Sequence, residues 1–140
     1  MEADNVAVFF YGLFMDQSLL ESKGIVPSRS NVGYVDGYGL RIGQRATLLP
    51  DENSTAYGVL MTIRAREAEA LYSEDSVADY VAESVSVTLA DGTLESAICY
   101  NLPESKLEGA NSQYAVALLK LAEDLGMPGA YLRQIEEQIA

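Results

Sequence analysis

The chain contains no histidine among its 140 residues. That absence removes Ser-His-Asp and Cys-His catalysis, together with every zinc site that depends on imidazole, and no metal is expected. Cysteine is nearly as scarce. Cys99 stands alone in the strand-like run Glu95-Ser96-Ala97-Ile98-Cys99-Tyr100, so it has no partner for an internal disulfide and reads as a small buried residue rather than a nucleophile. A lone thiol suits an intracellular, cytoplasmic protein. Basic residues are few, 9 against 21 acidic ones, and the net charge is −12. Such a chain repels phosphate backbones and anionic bilayers, so neither nucleic acid nor membrane is an expected partner. The acids are scattered rather than blocked, which is the pattern of a solubilising surface. Long apolar runs are missing too. The run behind the acidic opening Met1-Glu2-Ala3-Asp4-Asn5 is about ten residues, too short to span a bilayer and wrongly flanked for a secretory signal. The chain is expected to be soluble and unprocessed.

What is present is a globular composition. Apolar residues make up 49% of the chain, and its length suits a single domain, residues 1–140, that buries a core without metal or disulfide support. The most informative stretch is Val6 to Asp16, an apolar strand that runs into a glycine turn at Tyr11-Gly12 and then into a helix. A strand-to-helix turn of this kind leaves several backbone N–H groups aimed at one spot, which makes it a candidate cradle for a carboxylate or an oxyanion. Tight packing of a buried first strand requires the same residues.

Periodicity places a strand at Val6 to Tyr11 and a short helix at Gln17 to Lys23, with Asp16 as its N-cap and Gly24 ending it. Strands follow at Asn31 to Val35 and Gly39 to Ile42, separated by the hairpin-type pair Asp36-Gly37. Ala46 to Leu49 and Thr55 to Ile63 read as two more, joined by the polar turn Pro50-Asp51-Glu52-Asn53-Ser54. A helix is expected over Arg64 to Tyr72, and then a hairpin of Glu83 to Leu89 and Leu94 to Tyr100 across Asp91-Gly92. Val85, Val87 and Leu89 alternate with Ser84, Ser86 and Thr88, the signature of a strand with one face on the core. Ala115, Leu118, Leu119, Ala122 and Leu125 form an amphipathic stripe in Ser112 to Leu125, and a last helix follows over Ala130 to Ile139. Both C-terminal helices read as packing against the sheet, without chemistry of their own. Many short strands with a few helices between and after them argue an α+β fold on a mixed, barrel-like sheet.

Without histidine, acid–base work falls to carboxylates, lysine or tyrosine. Glu74 and Asp75 lie where a helix ends and an apolar, aromatic stretch leads into the next strand. A carboxyl group held at the rim of a cavity there would have its pKa raised by desolvation, as a proton shuttle requires. An ordinary solvated loop is the competing reading of the same residues, and Glu83 is a further inward-pointing candidate. Ser28, Ser30 and Ser54 sit in turns with no base, which disfavours serine catalysis. Arg41 and Arg45 flank Gly43; either is a candidate for binding a substrate carboxylate or for a surface ion pair.

Taken together, the strand ending in Tyr11-Gly12, the stretch Thr55-Ala56-Tyr57-Gly58-Val59-Leu60-Met61 and the acidic loop after Leu71-Tyr72 resemble the γ-glutamylcyclotransferase-like (AIG2-like) superfamily. The resemblance runs over about Val6 to Tyr100 and leaves the helices in 112–139 outside its diagnostic part. It implies a small mixed β-barrel of about five to seven strands with flanking helices. It also implies a cofactor-independent reaction on a small molecule. The free α-amine of a γ-glutamyl group attacks its own γ-carbonyl, giving 5-oxoproline and a free amine or amino acid. Ring closure is intramolecular, so the protein mainly holds the reactive conformer, moves protons and stabilises the oxyanion.

By that resemblance Tyr11, Gly12, Leu13 and Phe14 form the substrate-binding turn, Glu74 moves the proton with Asp75 as the alternate, and Tyr80 lines or closes the pocket. Register from Leu71 favours Asp75, and side-chain length favours Glu74. The chain departs from the family pattern in three places. Leu13 stands where a hydroxyl residue is usual, Asp75-Ser76 follows Glu74 where glycine is common, and Ala82 replaces a frequent arginine. Two other readings therefore stay open: a binding or regulatory module that keeps the fold without turnover, and an amidohydrolase-like lyase using Glu74 and Asp75 as a carboxylate pair.

Overall fold

A computed structural model describes residues 5–73 and 79–139. Five strands, β1 (Asn5–Phe10), β2 (Arg29–Ile42), β3 (Ala46–Arg64), β4 (Val81–Leu89) and β5 (Leu94–Asn101), close into a small barrel in the order β1-β3-β2-β4-β5. Neighbours are antiparallel except β1 and β5, which run parallel through the pair Val8 and Ile98. Four helices flank it: α1 (Gln17–Ser22), α2 (Ala65–Leu71), α3 (Ser112–Asp124) and α4 (Gly129–Glu136). The expected α+β barrel is the observed fold, at the lower end of the anticipated strand number. No helix among the described residues is long and apolar enough to cross a membrane.

The burial pattern explains why these strands can close. Val8, Phe9 and Phe10 are all buried, as are Val59, Leu60 and Met61. Consecutive buried residues in a strand mean that both faces are covered, one by the barrel interior and the other by helices. In β4 only Val85 and Val87 are buried, while Ser84 and Ser86 face solvent, as the alternation predicts. The β4–β5 hairpin turns at Asp91-Gly92, where Gly92 has φ +87°.

Two expected chain reversals are not reversals. β2 runs unbroken through Asp36-Gly37, and β3 runs unbroken through Pro50 to Ser54. The register jumps from Asp36 opposite Thr55 to Tyr38 opposite Pro50, so residues 51–54 arch out across from Gly37. Gly37 takes φ +85°, which glycine adopts without steric cost. Asp51 ties the arch by accepting from the Asn53 N–H at 3.1 Å and the Ser54 hydroxyl at 2.8 Å. Turn-forming residues serve here as a bulge that bends two long strands, which a barrel of so few strands requires. The true reversal between β2 and β3 is Gly43-Gln44-Arg45.

Candidate active site

β1 ends in Phe10, and the chain turns at Tyr11-Gly12 into a single 3₁₀ turn over Leu13–Met15. Asp16 then caps α1 by accepting from the Ser18 N–H at 3.0 Å. The first N–H groups of such a turn have no acceptor within it. Beside them opens a cavity of about 380 Å³ lined by Phe10, Tyr11, Gly12, Leu13 and Phe14, by Leu19 and Lys23 from α1, by Gln44, Arg45 and Ala46 from the β2–β3 reversal, and by Tyr72, Tyr80 and Tyr114. The structure thus brings together all five of the described residues expected at the site: Tyr11, Gly12, Leu13, Phe14 and Tyr80. Glu74 and Asp75 lie outside the described residues.

The wall is aromatic. Phe14 meets Phe10 and Tyr72 edge-on, with ring centres 5.9 and 5.8 Å apart, and Tyr72 stacks on Tyr100 at 3.9 Å. Most of its phenols are anchored. The Tyr11 hydroxyl donates to the Tyr100 carbonyl at 2.7 Å, and the Tyr80 hydroxyl donates to the Ala46 carbonyl. Tyr11 therefore offers the cavity its ring, its hydroxyl being spent on the wall. Burial first, and then neighbouring groups, pushes the pKa of Tyr11, Tyr72 and Tyr80 upward; Tyr114 is pushed up to about 12. Near neutral pH these phenols stay protonated and act as donors, so the described wall holds no base.

Three elements converge through one asparagine. The Asn111 side chain accepts from the Tyr114 N–H at 3.0 Å, capping α3, and donates to the Gln44 carbonyl at 3.3 Å. The reversal is also fixed by the Gln44 N–H donating to the Glu108 carbonyl at 2.8 Å. Tyr114 and Gln44 are thereby held in register with each other. The Tyr114 hydroxyl reaches the turn itself, with the Leu13 N–H directed at it.

Charge on the described wall is positive. Lys23 follows α1, where a cation favours the helix C-terminus. Arg45 lies over the Tyr80 ring, 5.8 Å from its centre, and pairs with Asp79 at 3.4 Å. Of the two arginines singled out in the sequence, Arg45 lines the cavity, whereas Arg41 is exposed on β2. Glu83 does not point into the site; it is exposed on β4 and its carboxylate accepts from the Asn101 amide. Lys23, Gln44 and Tyr114 were not singled out from the sequence. Tyr114 also corrects the reading of α3 as packing alone.

The AIG2-like family model matches residues 55–135, which takes in the second half of β3, then α2, β4, β5, α3 and most of α4. Among solved structures, the chain superposes on a γ-glutamyl cyclotransferase with a TM-score of 0.77 at 17% identity, covering 94% of this chain and 86% of that one. It matches YkqA from Bacillus subtilis at 0.78 and 20% identity, covering 97% of this chain and 54% of that one. A yeast γ-glutamyl cyclotransferase specific to glutathione matches at 0.67 and 15% identity, covering 97% and 96%. No curated protein matches the chain in sequence.

Proposed function

Because this chain belongs to the AIG2-like family, we propose that its cavity is the active site of a γ-glutamyl cyclotransferase-type enzyme. The observation that carries this reading is the convergence of the Tyr11–Phe14 turn, Tyr80 and two cations on one small cavity. A γ-glutamyl group presents three features to such a site: an α-carboxylate, an α-ammonium and a γ-carbonyl whose oxygen gains negative charge during ring closure. The cations match the carboxylate, and the N–H groups of the turn other than that of Leu13, which the Tyr114 hydroxyl takes, match the developing oxyanion.

The remaining need is a base. None of the described lining residues is a carboxylate, and Glu74 and Asp75 fall in sequence between Tyr72 and Tyr80, both of which line the cavity. Glu74, with Asp75 as the alternate, takes a proton from the α-ammonium. The freed amine attacks the γ-carbonyl carbon, forming the ring C–N bond. The tetrahedral intermediate holds its oxyanion at the turn, and the carboxyl group passes its proton to the leaving nitrogen. The carboxylate so regenerated takes the second proton from the ring nitrogen. The C–N bond then breaks to give the lactam and the free amine, which takes up that second proton and departs as an ammonium. Aromatic walls hold the flexible γ-glutamyl chain in the folded conformer that brings amine and carbonyl together. Atoms and charge balance without a cofactor.

The test is incubation with a panel of γ-glutamyl amines and γ-glutamyl dipeptides, reading 5-oxoproline by mass spectrometry, beside Glu74→Gln and Asp75→Asn. Release that falls at least about 100-fold in one variant identifies the shuttle. Equal loss in both variants favours the carboxylate pair. No release from any substrate by a folded protein favours the non-catalytic binding module, a reading that Leu13 in the turn also supports.

A further inference from the structure

We propose that Asn111 is a positioning residue for ring closure, its side-chain amide fixing the Gly12 turn and the wall that carries Tyr80 at a set separation. This role rests on the cyclotransferase reading for the reaction itself and adds a residue outside the cavity lining on which the rate depends.

Asn111 precedes α3 and uses both ends of its amide. The oxygen accepts from the Tyr114 N–H at 3.0 Å, and the nitrogen donates to the Gln44 carbonyl at 3.3 Å. Serine and aspartate cap helices as well as asparagine does. Aspartate has no proton to donate and serine is one atom shorter, so neither would cap α3 and reach Gln44 together.

Each partner leads to one side of the cavity. The Tyr114 hydroxyl packs against Gly12 and faces the Leu13 N–H, so α3 sets the place of the turn. Gln44 leads the other way. Next to it Arg45 lies over the Tyr80 ring, and after that the Ala46 carbonyl accepts the Tyr80 hydroxyl. Tyr80 follows Glu74 and Asp75 in sequence. The turn that receives the oxyanion and the tyrosine beyond the shuttle are therefore gauged from one side chain.

Two further bonds run from the reversal to the exposed segment 108–110, from the Gln44 N–H to the Glu108 carbonyl at 2.8 Å and from its side-chain amide to the Ala110 carbonyl at 3.1 Å. The segments meet closely. A Cβ on Gly43 would lie 2.6 Å from the Glu108 oxygen, and one on Gly109, at φ +73°, would lie 2.9 Å from Gln44 Cγ. Yet this segment bends at a glycine, whose backbone freedom transmits position poorly. Asn111 links Gln44 to the helix itself. Ring closure needs amine and carbonyl at near-attack distance, and a misplacement on the order of 1 Å costs about 100-fold.

Asn111→Ser keeps the cap and removes the tie. With whichever γ-glutamyl amine or dipeptide the wild type turns over, kcat should fall about tenfold with KM within about threefold, at an unchanged melting temperature. Asn111→Asp sets an anion beside the Gln44 carbonyl and should lose at least as much activity without losing stability. A kcat within about twofold of wild type in Asn111→Ser, a change in KM alone, or a loss matched by a lower melting temperature overturns the proposal. Hydrogen exchange by NMR needs no turnover. The Gln44 amide should exchange at least about fivefold faster in Asn111→Ser, while the α3 amides from Ala115 to Ala122 keep their wild-type rates. Unchanged exchange at Gln44 overturns the tie whatever the kinetics. A wild type that makes no 5-oxoproline sinks the reaction and with it the rate effect, and the exchange difference then decides by itself whether Asn111 holds the two walls together.

Discussion

The Tyr114 hydroxyl stands where a side chain on residue 12 would have to go: a Cβ at Gly12 would lie 2.5 Å from its oxygen. Gly12 has φ −106°, a region open to alanine, so the obstacle is the phenol alone. Through this contact α3 braces the turn that borders the cavity.

Gly12→Ala is therefore expected to cost about 1–3 kcal/mol, the usual range for overpacking. Adding Tyr114→Phe, which deletes the obstructing oxygen, should recover most of that loss. Urea unfolding of the wild type, both single variants and the double variant measures the coupling. If the two changes are additive to within about 0.5 kcal/mol, the brace is not there.

Gly58 meets a harder wall. A Cβ there would run into the backbone carbonyl oxygen of Phe10 and come within 2.7 Å of the Phe9 ring. β1 cannot easily yield, because it is bonded to β3 on one side and β5 on the other. Gly58→Ala should destabilise more than Gly12→Ala, at or above the top of the about 1–3 kcal/mol range, since backbone cannot rotate away as a side chain can. Thermal melting of the two variants side by side checks the ranking, and an equal or smaller loss for Gly58→Ala would contradict it.

Local features of the fold were legible where the residues themselves make the structure. Asp16 caps α1, Gly92 turns the β4–β5 hairpin, and the stripe of Ala115, Leu118 and Ala122 is buried as its spacing demands. Asp36-Gly37 and Pro50 to Ser54 misled because the same residue types serve tight turns and bulges. Only the pairing of β2 with β3 over their full lengths decides between them, and that pairing is long-range. The site divides the same way. Tyr11 to Phe14 are contiguous and announce themselves, whereas Lys23, Gln44 and Tyr114 reach the cavity only through barrel closure and the Asn111 link between Gln44 and α3. Lys23 in particular looks like any surface lysine ending a helix.

Cys99 should be chemically silent in the folded protein. It is fully buried, its thiol pKa is pushed up by that burial and then by the Glu83 carboxylate, and its Sγ donates to the Asn101 side chain at 3.4 Å. The reactive thiolate is thus both scarce and inaccessible. An aromatic disulfide reagent should label it stoichiometrically in urea and only at the rate of global unfolding in buffer. Rapid full labelling without denaturant would place the thiol at the surface.

Alkaline pH should unfold this protein through its phenols. Burial is the largest cause of the upward pKa shifts at Tyr11, Tyr72, Tyr80 and Tyr114, and for Tyr114 the folded value is about 12, against an ordinary tyrosine value of about 10. Below about pH 10 the folded and unfolded chains both keep these protons, so the stability that the neutral phenols supply is fully present. Above it the unfolded chain releases protons that the folded chain retains, and stability falls as pH rises through the folded values. Each such phenol contributes a slope of up to about 1.4 kcal/mol per pH unit, and four acting together make the decline steep. Urea midpoints measured from pH 8 upward should hold nearly level for these groups and then drop sharply above about pH 10. Tyr114→Phe should lessen the slope by one phenol's share. A midpoint that stays level through pH 11, or an unchanged slope in Tyr114→Phe, would mean that the cavity phenols ionise as freely in the folded protein as in the unfolded chain.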